Sequence, residues 1–329
     1  MTTADTLGSI GESATLARIF PRLPAASAQL LGPGDDSAVI AAPDGRFVVT
    51  TDMMVHGPDF RLAWSSPYDL GWKAAASNLA DVAAMGARPT ALVVAIAAPT
   101  DSPVSLLEGI SDGLREGLAE LAPGCGVVGG DLSVSATLTI TVTAFGDLEG
   151  RAPVLRSGAC VGDTVAVAGV LGDAAAGLRL LFAQAVVDGE PDASAGASLR
   201  SAHPDLIAAQ LAPRPPIFAG PVAAIGGATA MLDLSDGLAL DARRMARASD
   251  VTLDLDSAAV GSRDALDGGE DHTLLATFPA GVPLPAPFRA IGVVRAADPG
   301  EGPSVWVDGR PYTALGGWDP YAGWNGGVG

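Results

Sequence analysis

Apolar positions in this chain fall into short runs that end at acidic or glycine residues. Arg46–Thr51 (RFVVTT) is rich in β-branched residues and runs into Asp52, which predicts a strand delivering a carboxylate at its end. PYDLGWKAAASNLADVAAMGA, from Pro67 to Ala87, has Pro at its start and Gly86 near its end, the punctuation of a helix. TALVVAIAA at Thr90–Ala98 reads as a buried strand and Val104–Leu121 as a second helix. Gly126–Gly129 is a short strand that delivers Asp131. Thr137–Phe145 alternates Thr with Leu, Ile and Val, the period of two of a half-buried strand.

The texture changes at Glu149–Asp163 (EGRAPVLRSGACVGD), where turn formers predict a domain junction. Beyond it come the strand TVAVAG and a helix from Asp173 to about Val187. Asp188–Arg200, polar and Gly/Ala/Ser-rich, reads as a surface loop. A helix containing Ala208–Gln210 precedes PRPP, and another precedes the strand Ala228–Leu234. Ser235–Ala248 reads as a helix capped by Ser235 or Asp236. Strands follow at Val251–Leu255, Thr273–Phe278, Ala290–Arg295 and Ser304–Val307. No solenoid-type repeat occurs. The pattern predicts two α+β domains, residues 1–148 and 149–329, each a sheet carrying helices.

Composition narrows the classes. The 329 residues are 48% hydrophobic and 17% charged, which suits a globular protein rather than a disordered one. The net charge of −18 argues against a nucleic-acid partner, which needs clustered Lys and Arg. No apolar run approaches the roughly 20 residues that span a bilayer, and the first residues lack a basic start followed by an apolar stretch. Cys125 and Cys160 form no CxxC pair and no metal spacing, so reduced thiols in the cytoplasm are the expectation.

The acids are distributed with a purpose. Asp recurs at strand ends or beside Gly: Asp35 and Asp36, Asp52 after Thr50 and Thr51, Asp81 with Asn78, Asp131 after Gly130, and Asp233 with Ser235 and Asp236. Hard cations such as Mg²⁺ take oxygen ligands, a few carboxylates completed by water and phosphate oxygens. Such a set reconciles an acidic chain with phosphate chemistry, because a bound cation inverts the local sign. Asn78 and Asp81 are three apart and share a helix face. Asp81 either faces a metal or lies on the solvent side, paired with Lys73. Ser235 and Asp236 are either a simple cap or a phosphate seat at a helix N-terminus. Arg156 is placed to clamp a phosphate. GVLGDAAAG at Gly169–Gly177 is a weak phosphate-loop candidate. There is no GxxxxGK[ST] loop, no kinase HRD or DFG set, no GxSxG elbow, and no zinc spacing among His56, His203 and His272.

Taken in order, GPGDDSAVI, TTDMMVHGPDF, KAAASNLADVAAMGARP, GGDLS, LRSGACVGD, LDLSDGL and GGEDHTLL resemble the thiamine-monophosphate kinase family over nearly the whole chain. The resemblance implies a PurM-like fold shared with aminoimidazole-ribonucleotide synthetase, with N-terminal domains that dimerise. It implies transfer of the ATP γ-phosphate onto thiamine monophosphate. Carried over by motif, Asp36, Thr50, Thr51, Asp52, Asp81, Asp131, Asp233 and Asp236 become Mg²⁺ ligands. Gly130, Asp131, Arg156 and Ser235 become ATP contacts, and Asp59, Glu270 and Trp318 fall on the substrate rim. Three positions depart from the family pattern. Asp59 stands where the family has His, with His56 three residues earlier. His272 and Thr273 follow GGED in place of an aromatic and Glu. GGDLSVS lacks the Arg of GGDTTRG. These changes keep open a second reading, a nucleotide-binding paralogue or a relative with another substrate.

Overall fold

The computed structural model describes residues 5–32, 37–300, 302–314 and 316–317. Asp35, Asp36 and Trp318 lie outside them. Helix α1 (Leu7–Ile19) opens with a reciprocal capping box between Thr6 and Ser9 and kinks at Gly11. Strands β1 (Gln29–Leu31) and β2 (Val39–Ile40) pair as a small antiparallel ribbon. Then come β3 (Val48–Val55), α2 (Pro67–Ala84), β4 (Arg88–Ala98), α3 (Val104–Leu121), β5 (Gly126–Val134) and β6 (Thr139–Asp147). The four strands form one sheet in the order β3-β6-β4-β5, with β4 and β5 parallel.

The second half runs β7 (Thr164–Ala168), α4 (Asp173–Gln184), β8 (Val186–Val187), β9 (Glu190–Pro191), α5 (Ala193–Ala202), α6 (Pro204–Leu211), α7 (Ala219–Ile225) and β10 (Ala230–Leu234). It continues with α8 (Leu238–Ser249), β11 (Val251–Leu255), α9 (Ser257–Val260), α10 (Arg263–Asp267), β12 (Thr273–Phe278), β13 (Arg289–Ala296), β14 (Ser304–Val307) and β15 (Arg310–Pro311). Its sheet has seven strands in the order β10-β12-β7-β13-β11-β14-β15. The architecture is mixed α/β, a helix-bearing sheet in each half. Among the described residues no helix is long and apolar enough to cross a membrane.

Helix α2 is the axis of the molecule. Its reciprocal cap, Ser66 with Asp69, and Pro67 in its first turn start it where the sequence predicts. It is buried nearly all round because both halves pack on it. On one side α3 crosses it so closely that a Cβ on Gly71 would overlap the Ile110 carbonyl, and one on Gly113 the Tyr68 carbonyl. Leu70, Leu79 and Val82 share one apolar cluster with Ile140 and Val142 of the first sheet and with Met231, Leu274 and Phe278 of the second. A second cluster lies under α8 and takes the alternate residues of β10, Ala230, Leu232 and Leu234. That alternation turns Met231 and Asp233 towards α2.

Several expectations need correction. Asp52 and Asp131 do not follow their strands but lie within them, because β3 continues to Val55 and β5 to Val134 through ladder pairing with β6 and β4. Asp188–Arg200 is not a loop: β8 and β9 form a hairpin, and α5 begins at Ala193 with the Asp192 carboxylate accepting the Ala195 N–H at 2.7 Å. Its Gly and Ala residues, which read as loop, are small because they pack close to a neighbour. A Cβ on Gly196 would come within 3.0 Å of the Trp64 ring. The helix expected from Ser235 begins at Leu238 instead, after Gly237 in a positive-φ conformation (119°). Neither Ser235 nor Asp236 caps it.

Candidate active site

The site forms where the end of β10 meets β3 and α2. Thr50 and Asp52 alternate with Thr51 along β3, so they face α2 while Thr51 faces away. The Thr50 hydroxyl donates to Asp81 Oδ2 at 2.9 Å. Asn78, fully buried, accepts the Asp52 backbone N–H at 3.2 Å on Oδ1 and gives its Nδ2 to the Ala74 carbonyl at 3.0 Å. Strand and helix are thus locked at the two residues that carry the carboxylates.

From the other half, Asp233 points at the same place. Burial raises the Asp81 carboxylate well above its usual range, and Asp233 and Asp52 add to the rise, while Thr50 and His272 oppose it. Asp52 is raised by partial desolvation, with His272 opposing and Asp233, Glu270 and Asp236 adding. These mutual effects place Asp52, Asp81 and Asp233 in one electrostatic neighbourhood. His272 Nδ1 lies 3.4 Å from Asp233 Oδ2. Burial pulls the imidazole down, but Asp233 and Glu270 outweigh it and the net shift is upward.

The turn 233–237 and the segment 268–272 are held together. The Glu270 N–H donates to the Ser235 carbonyl at 2.8 Å and the His272 N–H to the Leu234 carbonyl at 3.0 Å. A Cβ on Gly269 would come 2.6 Å from the Ser235 carbonyl oxygen, so only glycine lets the strands of this turn approach. Glu270 Oε2 then meets Lys73 Nζ at 2.6 Å. Burial pushes the Glu270 carboxyl up, but Lys73 and His272 bring it below its usual value overall. Asp59 sits opposite, half-buried, with Oδ2 accepting the Val55 N–H at 2.7 Å. Its carboxyl is raised by burial, opposed by that amide, and raised further by Glu270. His56 stacks on Phe60 with ring centroids 5.6 Å apart, away from any zinc-like set.

Other nominated residues are not brought together by a single chain. Thr51 donates to the Val142 carbonyl at 3.0 Å on the sheet face opposite Asp81. Asp131 pairs with Ala95 on edge strand β5, and its neighbour Gly130 lies in the Asp52 row, three strand spacings or roughly 14 Å across the sheet. Arg156 is next to Leu155, whose carbonyl accepts the Met231 N–H, so it lies at the start of β10. Ser235 stands roughly 13 Å further along that strand. Asp236 is held by Arg244 at 2.6 Å rather than turned freely to the other acids. Lys73 does not pair with Asp81. The loop Gly169–Gly177 is not an open phosphate seat, because Asp271 already occupies its amides, accepting from Gly172 N at 2.6 Å and Ala174 N at 3.1 Å. The sequence reading missed Lys73 and Arg244. The signal for Lys73 was its i, i+4, i+8 spacing with Ser77 and Asp81 along α2.

Among the described residues no three His, Cys, Asp or Glu side chains stand close enough to cage an ion. The donor set nevertheless suits a hard divalent cation of the Mg²⁺ type. Such an ion is held by one or two carboxylates and completes its shell with water and substrate phosphate oxygens. Convergent acids of like charge with an adjacent hydroxyl are the donors it takes.

Residues 34–148 match the family described as AIR synthase related protein, N-terminal domain. With the helix-bearing sheet in each half and the acidic cleft between them, this defines a PurM-like protein. A thiamine-monophosphate kinase of Mycobacterium tuberculosis (strain CDC 1551 / Oshkosh) is 43% identical, with 97% of this chain and 94% of the relative covered. The crystal structure of thiamine-monophosphate kinase from Stenotrophomonas maltophilia K279a superposes with a TM-score of 0.73 at 31% identity, covering 91% of this chain and 96% of that one. A structure described as AaThiL complexed with AMPPCP and TMP has a TM-score of 0.70 at 33% identity, covering 86% and 90%. The chain belongs to the thiamine-monophosphate kinase family.

Proposed function

We propose that this protein transfers the γ-phosphate of ATP in line onto the phosphate of thiamine monophosphate, giving thiamine diphosphate and ADP, with Mg²⁺ required. What supports this reading is the mutual electrostatic influence of Asp52 and Asp81 from one half and Asp233 from the other, beside Glu270 and Asp59. An acceptor phosphate is already an anionic nucleophile, so the residues need supply no strong general base; the barrier is repulsion between anions and loss of alignment. Bound Mg²⁺ would supply the charge neutralisation. Asp52, Asp81 and Asp233 would supply the one or two carboxylates it takes beside water and phosphate oxygens, Thr50 and Asn78 fix the first two, and the Ser235–Glu270 turn shapes the acceptor side. Asp36, Thr50, Thr51, Asp131 and Asp236 as further metal ligands, Gly130, Asp131, Arg156 and Ser235 as ATP contacts, and Trp318 on the substrate rim remain part of this proposal by resemblance.

A homodimer in the cytoplasm completes the reading. Val49 and Met53, each 59% exposed, lie on the face of the first sheet turned away from α2, with Thr51 between them. Such a face suits a second copy, and Thr51 and Asp131 both project from it.

The test is incubation of purified protein with ATP, Mg²⁺ and thiamine monophosphate, followed by chromatographic detection of thiamine diphosphate. Stoichiometric thiamine diphosphate and ADP are expected, and none with EDTA. Measurable ATP binding without thiamine diphosphate would overturn the reading in favour of a nucleotide-binding paralogue.

A further inference from the structure

Asp69, Lys73, Ser77 and Asp81 recur every four residues and form a polar stripe along α2, slowly rotating around it. Asp69 is held by Arg200 at 2.5 Å, and Asp81 belongs to the acidic cleft. Lys73 lies between them with only 7% of its side chain exposed. A buried ammonium is costly unless paired and hydrogen-bonded. Its partners both come from the other half of the chain: Glu270 Oε2 at 2.6 Å and the Gln210 carbonyl, on α6, at 3.2 Å.

This pair is not needed merely to dock the halves. Trp72 Nε1 donates to the Pro213 carbonyl at 2.7 Å, Trp64 Nε1 to the Ala185 carbonyl at 3.1 Å, and Arg200 binds Asp69 across the same surface. The effect of Lys73 is on Glu270 itself. Ser235 fixes the Glu270 backbone, and Lys73 fixes one carboxylate oxygen. Oε2 is buried, with the Lys73 ammonium against it, while the side chain as a whole is 34% exposed, so its open side is the Oε1 side. Asp59 stands near enough to repel Glu270, and Lys73 acts on both with the opposite sign.

We propose that Lys73 is a positioning residue for the acceptor substrate: from α2 it holds Glu270 Oε2, so that Oε1 is presented to the cationic, nitrogen-bearing organic part of thiamine monophosphate. This rests on the functional reading above and on Glu270 as a substrate contact. ATP, which meets the cleft through its phosphates, should not sense the change.

The experiment compares Lys73→Met, Lys73→Arg, Glu270→Gln and the double variant Lys73→Met/Glu270→Gln. Steady-state kinetics are measured with each substrate varied, and equilibrium binding of thiamine monophosphate is read in parallel. Lys73→Met is expected to raise the thiamine-monophosphate KM by roughly tenfold or more while the ATP KM stays within about twofold. Lys73→Arg should recover part of the loss, and the double variant should be no worse than Glu270→Gln. It leaves no unpaired buried charge, so it also serves where Lys73→Met melts early. An unchanged thiamine-monophosphate KM and binding in Lys73→Met overturns the role. So do equal rises in both KM values, or independent losses that add in the double variant. Wild-type protein that neither binds nor phosphorylates thiamine monophosphate overturns the functional reading and this one with it. A Lys73→Met variant that keeps both the thiamine-monophosphate KM and its binding, beside an active wild type, overturns this one alone.

Discussion

The Thr50 hydroxyl donates to Asp81 at 2.9 Å, bridging β3 and α2 beside the bond from the Asp52 amide to Asn78. Two neutral side chains thereby hold two acids in a place where the acids repel one another and Asp233. The arrangement is held by the fold against its own electrostatics.

Asp81→Asn should therefore separate stability from activity. The amide keeps an acceptor for Thr50 and removes one of the opposed charges. The melting temperature of metal-free protein should rise by about 2–4 °C, the shift expected for roughly 1 kcal/mol in a domain of this size. Turnover should fall by about a hundredfold or more. Thermal melts in EDTA and initial rates in Mg²⁺ read the two effects. A lower melting temperature with full activity would remove Asp81 from the site.

The two glycines before Asp131 are predicted to behave oppositely. A Cβ on Gly130 would overlap the Val94 carbonyl on the neighbouring strand, whereas one on Gly129 meets nothing within 4 Å. Gly130→Ala should cost about 2 kcal/mol or more, and Gly129→Ala should stay within about 0.5 kcal/mol of wild type. Urea unfolding midpoints decide it, and equal losses would refute the packing argument.

Much of the site was legible because strand alternation and helix spacing are local properties. Asp52 after RFVVTT and the Asn78–Asp81 face follow from period alone. What escaped depends on long-range contacts. Lys73 looked like a surface partner for Asp81, because nothing local shows that Glu270, almost two hundred residues later, lies over α2. The Gly169–Gly177 loop resembled a phosphate seat, and no spacing rule shows that Asp271 fills it. Helix α5 was hidden by its Gly and Ser residues, which are weak helix formers, although its Ala residues favour a helix and Gly196 lets α5 pack against Trp64.

Asp271 gives a pH signature. Its carboxyl is pushed up to about 6, by burial first and then Asp173, although the Gly172 and Ala174 amides and His272 act in the other direction. In the unfolded chain it loses its proton near the ordinary value of about 3.9. Between these values the folded state binds more protons, so this group's contribution to stability falls as pH rises from about 4 to about 6 and is level above that. Relative to Asp271→Asn, wild-type protein should lose on the order of 2 kcal/mol across that window. Urea melts of metal-free protein at pH 4.5 and 7 measure it, and a constant difference would show that Asp271 titrates alike in both states.

Arg244 should link stability to metal use. Its guanidinium binds Asp236 at 2.6 Å and also the buried Asp241, whose carboxyl is pushed up to about 6 by burial while Arg244 pulls it down. Arg244→Met leaves Asp241 buried without its cation, and stability should fall by about 2 kcal/mol, tempered by protonation of the acid. Arg244→Met/Asp241→Asn should restore most of that loss. In both variants Asp236 no longer has the guanidinium as a competing partner. If Asp236 binds metal in the working enzyme, the Mg²⁺ concentration for half-maximal turnover should drop roughly threefold or more, since a charge-assisted pair no longer has to be broken first. The stable double variant makes this readable without interference from unfolding. An unchanged Mg²⁺ requirement there would mean that Arg244 does not restrain the metal site, and Asp236 would then serve the fold through Arg244 and the turn at Gly237.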